Sequence, residues 1–343
     1  MIADVWTAFF GPDFWWVTIL KGGLIVLFLA TAFAYLTLAE RKISARIQLR
    51  YGPNRVGPFG LLQPAADGVK LFFKENTAPS GRDRILFLVG PSLAAGSALL
   101  AFAVIPLGVN NWLGYEFHWD ITHLNVGLLF ILGVTSLGVY SLFLGGFAAN
   151  SKYSLLGGLR SSAQLISYEM AVSFALIGVV ILAGSLDLEK IVGAQRGLWF
   201  IVLQPLAFVL YFIAAFAETN RAPFDLPEAE TELVAGYHTE YSSMRFGLYF
   251  LGEYVNMVIV CSIATTLFLG GWLPIFPWHP FDWIPGPLWF LAKITVLLLF
   301  MMWVRWTFPR LRYDRLMNFG WKVLLPLGLF NILVTGAVVA VRA

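Results

Sequence analysis

The sequence predicts an all-α membrane protein: one integral domain, a bundle of about eight transmembrane helices with an amphipathic helix on its cytoplasmic surface. Three observations carry the prediction. Of the 343 residues, 59% are hydrophobic and 13% are charged, against about 45–50% and about 25% in an ordinary soluble domain, so a water-soluble globule is excluded. Eight apolar runs approach the roughly 20 residues that a bilayer crossing needs; they lie at 15–39, 85–107, 126–149, 163–184, 198–217, 247–270, 288–304 and 321–341. These runs are too long for barrel strands, and an open sheet leaves its edge groups unsatisfied in lipid, so they are expected to be helices. The third observation is the alternation of cations. Seventeen of the 23 Lys and Arg residues fall in the connections 40–84, 150–162, 218–246 and 305–320, and three on the opposite side. The positive-inside rule places those four connections in the cytoplasm and both termini outside. A net charge of +3 is too weak a field to argue for nucleic acid. The partner implied by composition is lipid.

In chain order, Asp4 and Asp13 precede the first cation, Lys21, the reverse of the basic start of a cleavable signal peptide. The first apolar run is therefore expected to stay in the protein. In the connection 40–84, Pro53, Pro58 and Pro64 fix φ, while Gly52, Gly57 and Gly60 allow turns that other residues resist. Such a loop is shaped rather than floppy. From Pro64, a favoured first helical residue, Ala65, Val69, Phe72 and Phe73 recur at helical spacing while Asp67, Lys70 and Lys74 face elsewhere. That pattern suits a helix lying along the membrane surface, either as an interfacial anchor or as the wall of a cavity entered from the bilayer.

Ionisable residues inside the runs weigh most. Glu169 and Glu253 each stand six residues beyond the cytoplasmic start of a run, about 9 Å deep at about 1.5 Å per residue. Glu40 closes the first run and Glu218 the fifth, both on that side. One intramembrane carboxylate can be a structural hydrogen-bond donor. Four on one side point to a proton path, because charge in lipid is costly and usually functional. They converge on the connection 218–246, where Glu218, Asp225, Glu228, Glu230, Glu232 and Glu240 outnumber Arg221 and Arg245. A charge run is ordinarily a solvated face, but Pro223, Phe224, Leu226, Pro227, Leu233 and Val234 are interleaved here and predict a packed segment. Lys293, in the outer half of the seventh run, either snorkels to the interface or terminates the carboxylate path. Trp272, Trp278, Trp283 and Trp289 fit an aromatic belt at the outer interface.

Cys261 is the single cysteine, which rules out an intrachain disulfide, a four-thiolate iron–sulfur site and a thiolate pair for zinc. His118, His123, His238 and His279 all fall in polar connections, so the paired imidazoles of a buried haem are missing. The chain is expected to hold no metal or redox cofactor and to catalyse nothing alone.

Four segments carry a specific resemblance: AERKISARIQLRYGPNRVGPFGLLQPAADGVKLFFKE, NSKYSLLGGLRSSAQLISYE, AETNRAPFDLPEAETELVAGYHTEYSS and RYDRLMNFGWKVLLP. In this order, and over nearly the whole chain, they resemble the H-type membrane subunit (subunit 1 in mitochondria) of respiratory complex I, the proton-pumping NADH:quinone oxidoreductase. The resemblance implies a bacterial inner-membrane subunit at the junction of the membrane and peripheral arms. Its partners would be the other membrane and peripheral subunits, quinone as substrate, and lipid, with flavin and iron–sulfur clusters in the partner subunits. It further implies that Glu40, Arg41, Arg50 and Asp67 frame a quinone chamber. Asp225, Glu228, Glu230 and Glu232 would form a coupling loop, and Glu169, Glu218 and Glu253 would lead protons towards the membrane arm. One departure stands out: some members carry another glutamate in the third run, near SLGVY, where this chain has Ser136 and Gly138. A water or a neighbouring subunit is left to supply that link. Two rival readings are a homologous membrane anchor of an energy-converting hydrogenase and a proton-coupled secondary transporter, which should show repeats and broken helices at matching positions.

Overall fold

A computed structural model of the chain describes residues 15–112, 115–118, 121–122, 124–225, 234–275 and 284–342. Glu228, Glu230 and Glu232 of the acidic connection, together with Trp278, Trp283, His123 and His279, lie outside the described residues. Among those described, six helical segments are long and apolar enough to cross a membrane, and two shorter apolar helices, Leu86–Phe102 and Pro205–Glu218, stand where the second and fifth runs were expected.

The helices are α1 (Trp15–Ile47), α2 (Gln63–Phe73), α3 (Leu86–Phe102), α4 (Gly127–Thr135), α5 (Leu137–Ala148), α6 (Lys152–Ala183), α7 (Leu188–Ala194), α8 (Phe200–Leu203), α9 (Pro205–Glu218), α10 (Ser243–Phe268), α11 (Gly286–Thr307), α12 (Tyr313–Phe319) and α13 (Leu325–Arg342). A π turn at Gly320–Leu324 joins the last two. A small antiparallel ribbon, β1 (Val109–Trp112) against β2 (Tyr115–His118) with Val109 opposite His118, was not anticipated from the sequence. At the centre, α6 packs against α5, α9 and α13, while α10 packs against α3 and α11. α2 forms over the expected residues, with no buried residue, and its Val69, Phe72 and Phe73 form an exposed apolar face, the pattern of a helix that lies on a membrane surface.

Two boundaries differ most from the sequence expectation. α1 continues eight residues past Ala39, so Glu40 sits inside the helix and does not close it. α6 starts at Lys152, eleven residues before the predicted start; the connection 150–162 is three turns of helix. Its small residues hid it, because hydropathy does not register packing by glycine and serine. A Cβ on Gly157 would come within 2.7 Å of the Tyr237 backbone, and Gly158 packs backbone to backbone on Gly146 of α5. At 32 residues, or about 48 Å, α6 exceeds the roughly 30 Å hydrocarbon thickness. Glu169 is thus seventeen residues into α6 while Glu253 is ten into α10. Counted from the helix starts the two depths differ, yet both side chains line one cavity.

The fifth run is interrupted, whereas the third is continuous: at Ser136, between α4 and α5, φ −57° and ψ −27° stay helical and the N–H reaches Leu132 O at 3.2 Å. Gln204, with φ −131° and ψ 53°, separates α8 from α9, since Pro205 has no N–H to continue the ladder. The Gln204 side chain is satisfied by the last helix: Asn331 Nδ2 donates to its Oε1 at 2.8 Å, and its Nε2 donates to Thr335 Oγ1 at 2.6 Å. Polar atoms at membrane depth persist only with such partners. Asn331→Leu, which leaves the glutamine oxygen unpaired, is expected to destabilise the assembled protein by about 1–3 kcal/mol. The measurement is the thermal transition in detergent; the double variant with Gln204→Leu should recover part of the loss, and a purely additive double would contradict the clamp.

Candidate functional site

At one end of the bundle, α1, α2, α10 and α11 surround a cavity of about 560 Å³. Its lining mixes apolar side chains, Phe33, Leu71, Phe246, Phe250 and Trp306, with the charged Glu40, Arg41, Arg50, Asp67, Lys70 and Arg305. The four residues expected to frame a chamber thus share one cavity. Asp67 is fixed on α2, where Arg41 donates to it at 2.7 Å and Gln63 at 3.1 Å. The size and the mixture of apolar and charged side chains suit a ligand with an apolar body and one polar end.

Glu40 is buried and saturated. Arg221 donates to its Oε1 at 2.8 Å, Arg305 to the same oxygen, and Tyr254 donates to Oε2 at 2.7 Å. Arg221 is itself shared: its Nε lies 2.6 Å from Glu253 Oε1, and its guanidinium stacks 4.4 Å from the Tyr254 ring centroid. Two carboxylates and two guanidiniums therefore neutralise one another where an isolated charge would be costly. The turn after α9 aims Arg221 inward. Asn220 takes a left-handed φ of 51°, and buried Gln164 of α6 donates to Ala217 O and Phe224 O, both at 2.9 Å, holding the two ends of the turn. Asp225 pairs with Arg310 at 3.0 Å; it is the one residue of the expected coupling loop whose place is described, and it is half-buried and packed.

Beyond Glu253 lies a second, smaller cavity of about 60 Å³ between α3, α5, α6, α9 and α10, lined by Glu169, Glu218, Glu253, Ser141, Thr219 and Asn256 among others. A water needs at least about 10–15 Å³ and two to four polar partners, so this space can hold several. All three carboxylates expected on a proton path meet here. Ser136 contacts the Glu169 carboxylate directly. Outside this cavity, burial pushes His238 down to about 4 and nearby Tyr241 up to about 12.

The sequence reading missed Arg221 and Arg305, counting them only as loop cations. The signal was present in the need of buried carboxylates for a counter-charge. The snorkelling alternative for Lys293 is corrected. It does not snorkel, being 5% exposed, and its ammonium is occupied by backbone: Nζ donates to Leu269 O, Gly271 O and Leu273 O at 2.7, 2.9 and 2.7 Å, with the Trp199 ring centroid 4.5 Å away. It ties down the turn that follows α10, whose last helical residue is Phe268.

A family profile described as NADH dehydrogenase matches residues 20–336. The chain is 55% identical to one of the NADH-quinone oxidoreductase H subunits of Geobacter metallireducens over 323 residues, covering 94% of this chain and 96% of that one. It is 50% identical to the H subunit of the same enzyme in Rhodospirillum rubrum over 335 residues, 97% and 96% of the two chains, and 51% identical to that of Paramagnetospirillum magneticum over 332 residues, 95% and 94%.

Proposed function

The chain belongs to the family of NADH-quinone oxidoreductase H subunits, and from that premise we propose that it forms the quinone chamber of the enzyme and couples quinone reduction to proton movement. It is a membrane subunit of that enzyme complex and brings no redox centre of its own to this reading; flavin and iron–sulfur clusters belong to partner subunits. The carrying observation is the continuous link Glu40–Arg221–Glu253 between the two cavities. A quinone would enter the larger cavity from the bilayer, its tail on Phe33 and Phe250 and its headgroup towards the charged side chains. Reduction to quinol puts negative charge on the headgroup until two protons arrive. Arg221 and Arg305, which neutralise Glu40 in the resting arrangement, are drawn to that charge. Glu253 then loses part of its counter-charge, its proton affinity rises, and the cavity holding Glu169 and Glu218 must rearrange its protons. The loops would face the cytoplasm in a bacterial plasma membrane, with the acidic connection beside the peripheral subunits.

The test separates chamber from path in the whole complex. Arg41→Met and Asp67→Asn should weaken quinone-site inhibitors and quinone reduction several-fold while electron transfer from NADH to a water-soluble acceptor survives. Glu253→Gln should leave inhibitor affinity near wild type and lower protons moved per NADH in proteoliposomes. Wild-type proton stoichiometry in Glu253→Gln, or equal loss of both electron-transfer activities in the chamber variants, would overturn the proposal.

A further inference from the structure

We propose that Ser136 is a positioning residue for proton transfer at Glu169: its hydroxyl turns between the Leu132 carbonyl and the Glu169 carboxylate as that side chain gains and loses its proton. The inference rests on the reading of Glu169 as a proton carrier.

Ser136 stands between α4 and α5, half-buried, next to Thr135, which lines the smaller cavity. Its Oγ lies 2.8 Å from Leu132 O and also contacts Glu169 Oε1. A serine hydroxyl has one proton and two acceptor lone pairs, so it cannot donate to both oxygens at once. With Glu169 protonated, the acid donates to Ser136 Oγ, and the serine donates to Leu132 O. With Glu169 ionised, the serine proton turns to the carboxylate. No bond to the serine oxygen breaks in either arrangement. The proton leaving Glu169 passes into the shared cavity, which Glu218 also lines.

The other end of the swing makes the turn inexpensive. Leu132 O is also approached by Ser136 N at 3.2 Å and by Thr135 Oγ1 at 3.1 Å. Three donors therefore compete for an oxygen with two lone pairs, and departure of the serine hydroxyl leaves the carbonyl satisfied. Two further features show that the cavity wall here is built for polar occupants. Ser141 Oγ, one turn on in α5, is fully buried without a protein partner while lining the cavity, a position that calls for a cavity water. At Gly138 a Cβ would meet nothing within 4 Å. The wall beside the hydroxyl therefore leaves room for water.

The experiment uses the complete enzyme in proteoliposomes, with assembly checked on native gels and electron transfer to a water-soluble acceptor as the internal reference. Ser136→Ala should assemble normally and reduce proton translocation and coupled quinone turnover about tenfold, the scale of one lost hydrogen bond to a charged group. Ser136→Thr keeps the hydroxyl and should restore most of both. The double variant Ser136→Ala with Glu169→Gln should be no worse than Glu169→Gln alone, because the hydroxyl acts only through that carboxyl. Wild-type pumping in Ser136→Ala beside a defective Glu169→Gln overturns this inference and spares the proton-path reading; equal impairment of the alanine and threonine variants also overturns it. Full pumping in Glu169→Gln sinks the path reading itself, and this inference with it.

Discussion

Replacing Arg221 with methionine is expected to be among the most damaging single changes in the chain, lowering the stability of the assembled protein by about 3–5 kcal/mol and quinone reduction by more than about a hundredfold. Methionine matches much of the apolar stem but leaves Glu40 with one fewer donor and Glu253 with no ion-pair partner within 4 Å among the described residues. Uncompensated charge at this depth must be neutralised by proton uptake or water entry, and either alters both cavities. Lysine should rescue only partly. Its point charge cannot bond Glu40, pair with Glu253 and cover the Tyr254 ring at once, as the planar guanidinium does. Removing the orphaned acid as well, in Arg221→Met with Glu253→Gln, should recover assembly without recovering proton transport. The measurements are complex yield on native gels, the thermal transition in detergent, and proton uptake in proteoliposomes. Normal yield and turnover in Arg221→Met would show that the link between the cavities is dispensable.

The second large effect concerns Lys293. Lys293→Met leaves three carbonyls, those of Leu269, Gly271 and Leu273, without the ammonium that collects them. Hydrogen bonds to charged groups contribute about 1.5–3 kcal/mol each, so a loss on the order of 3–5 kcal/mol is expected even after water replaces part of the contact. The complex should be nearly absent from membranes. Arginine should not substitute, because its rigid fork does not match three converging carbonyls around one nitrogen. The alternative, that Lys293 ends a proton path, makes a different forecast: normal assembly with reduced proton stoichiometry. Quantifying assembled complex before any activity assay separates the two.

Much of the candidate site was legible because its members are expensive where they sit. Glu169 and Glu253 are visible as carboxylates inside apolar runs, and Pro64 with Val69, Phe72 and Phe73 declares a surface helix by its period. Asp67 and Arg41 were nominated by motif, and α1 and α2 bring them to 2.7 Å. The loop arginines were not legible as partners, since nothing local distinguishes Arg221 from an orienting surface cation. The start of α6 was misplaced because GGLRSSAQ reads as polar, whereas Gly157, Gly158, Ser161 and Gln164 are all buried against neighbouring backbone.

By itself, then, the sequence determined that the chain crosses a membrane, roughly where its apolar runs lie, and which acids are buried in it. The transfer energy of each side chain into lipid is a local property, and a run of them adds up without reference to any partner. Tertiary structure alone decided the pairings: Glu40 meets Arg221 across 181 residues and Arg305 across 265, and Lys293 finds the turn after α10 instead of water or a carboxylate. It also decided that the interruption at Gln204 is tolerated, by setting Asn331 and Thr335 beside it. Charges and broken backbone in a membrane are stable only with a partner in place, and which partner arrives depends on how the helices pack.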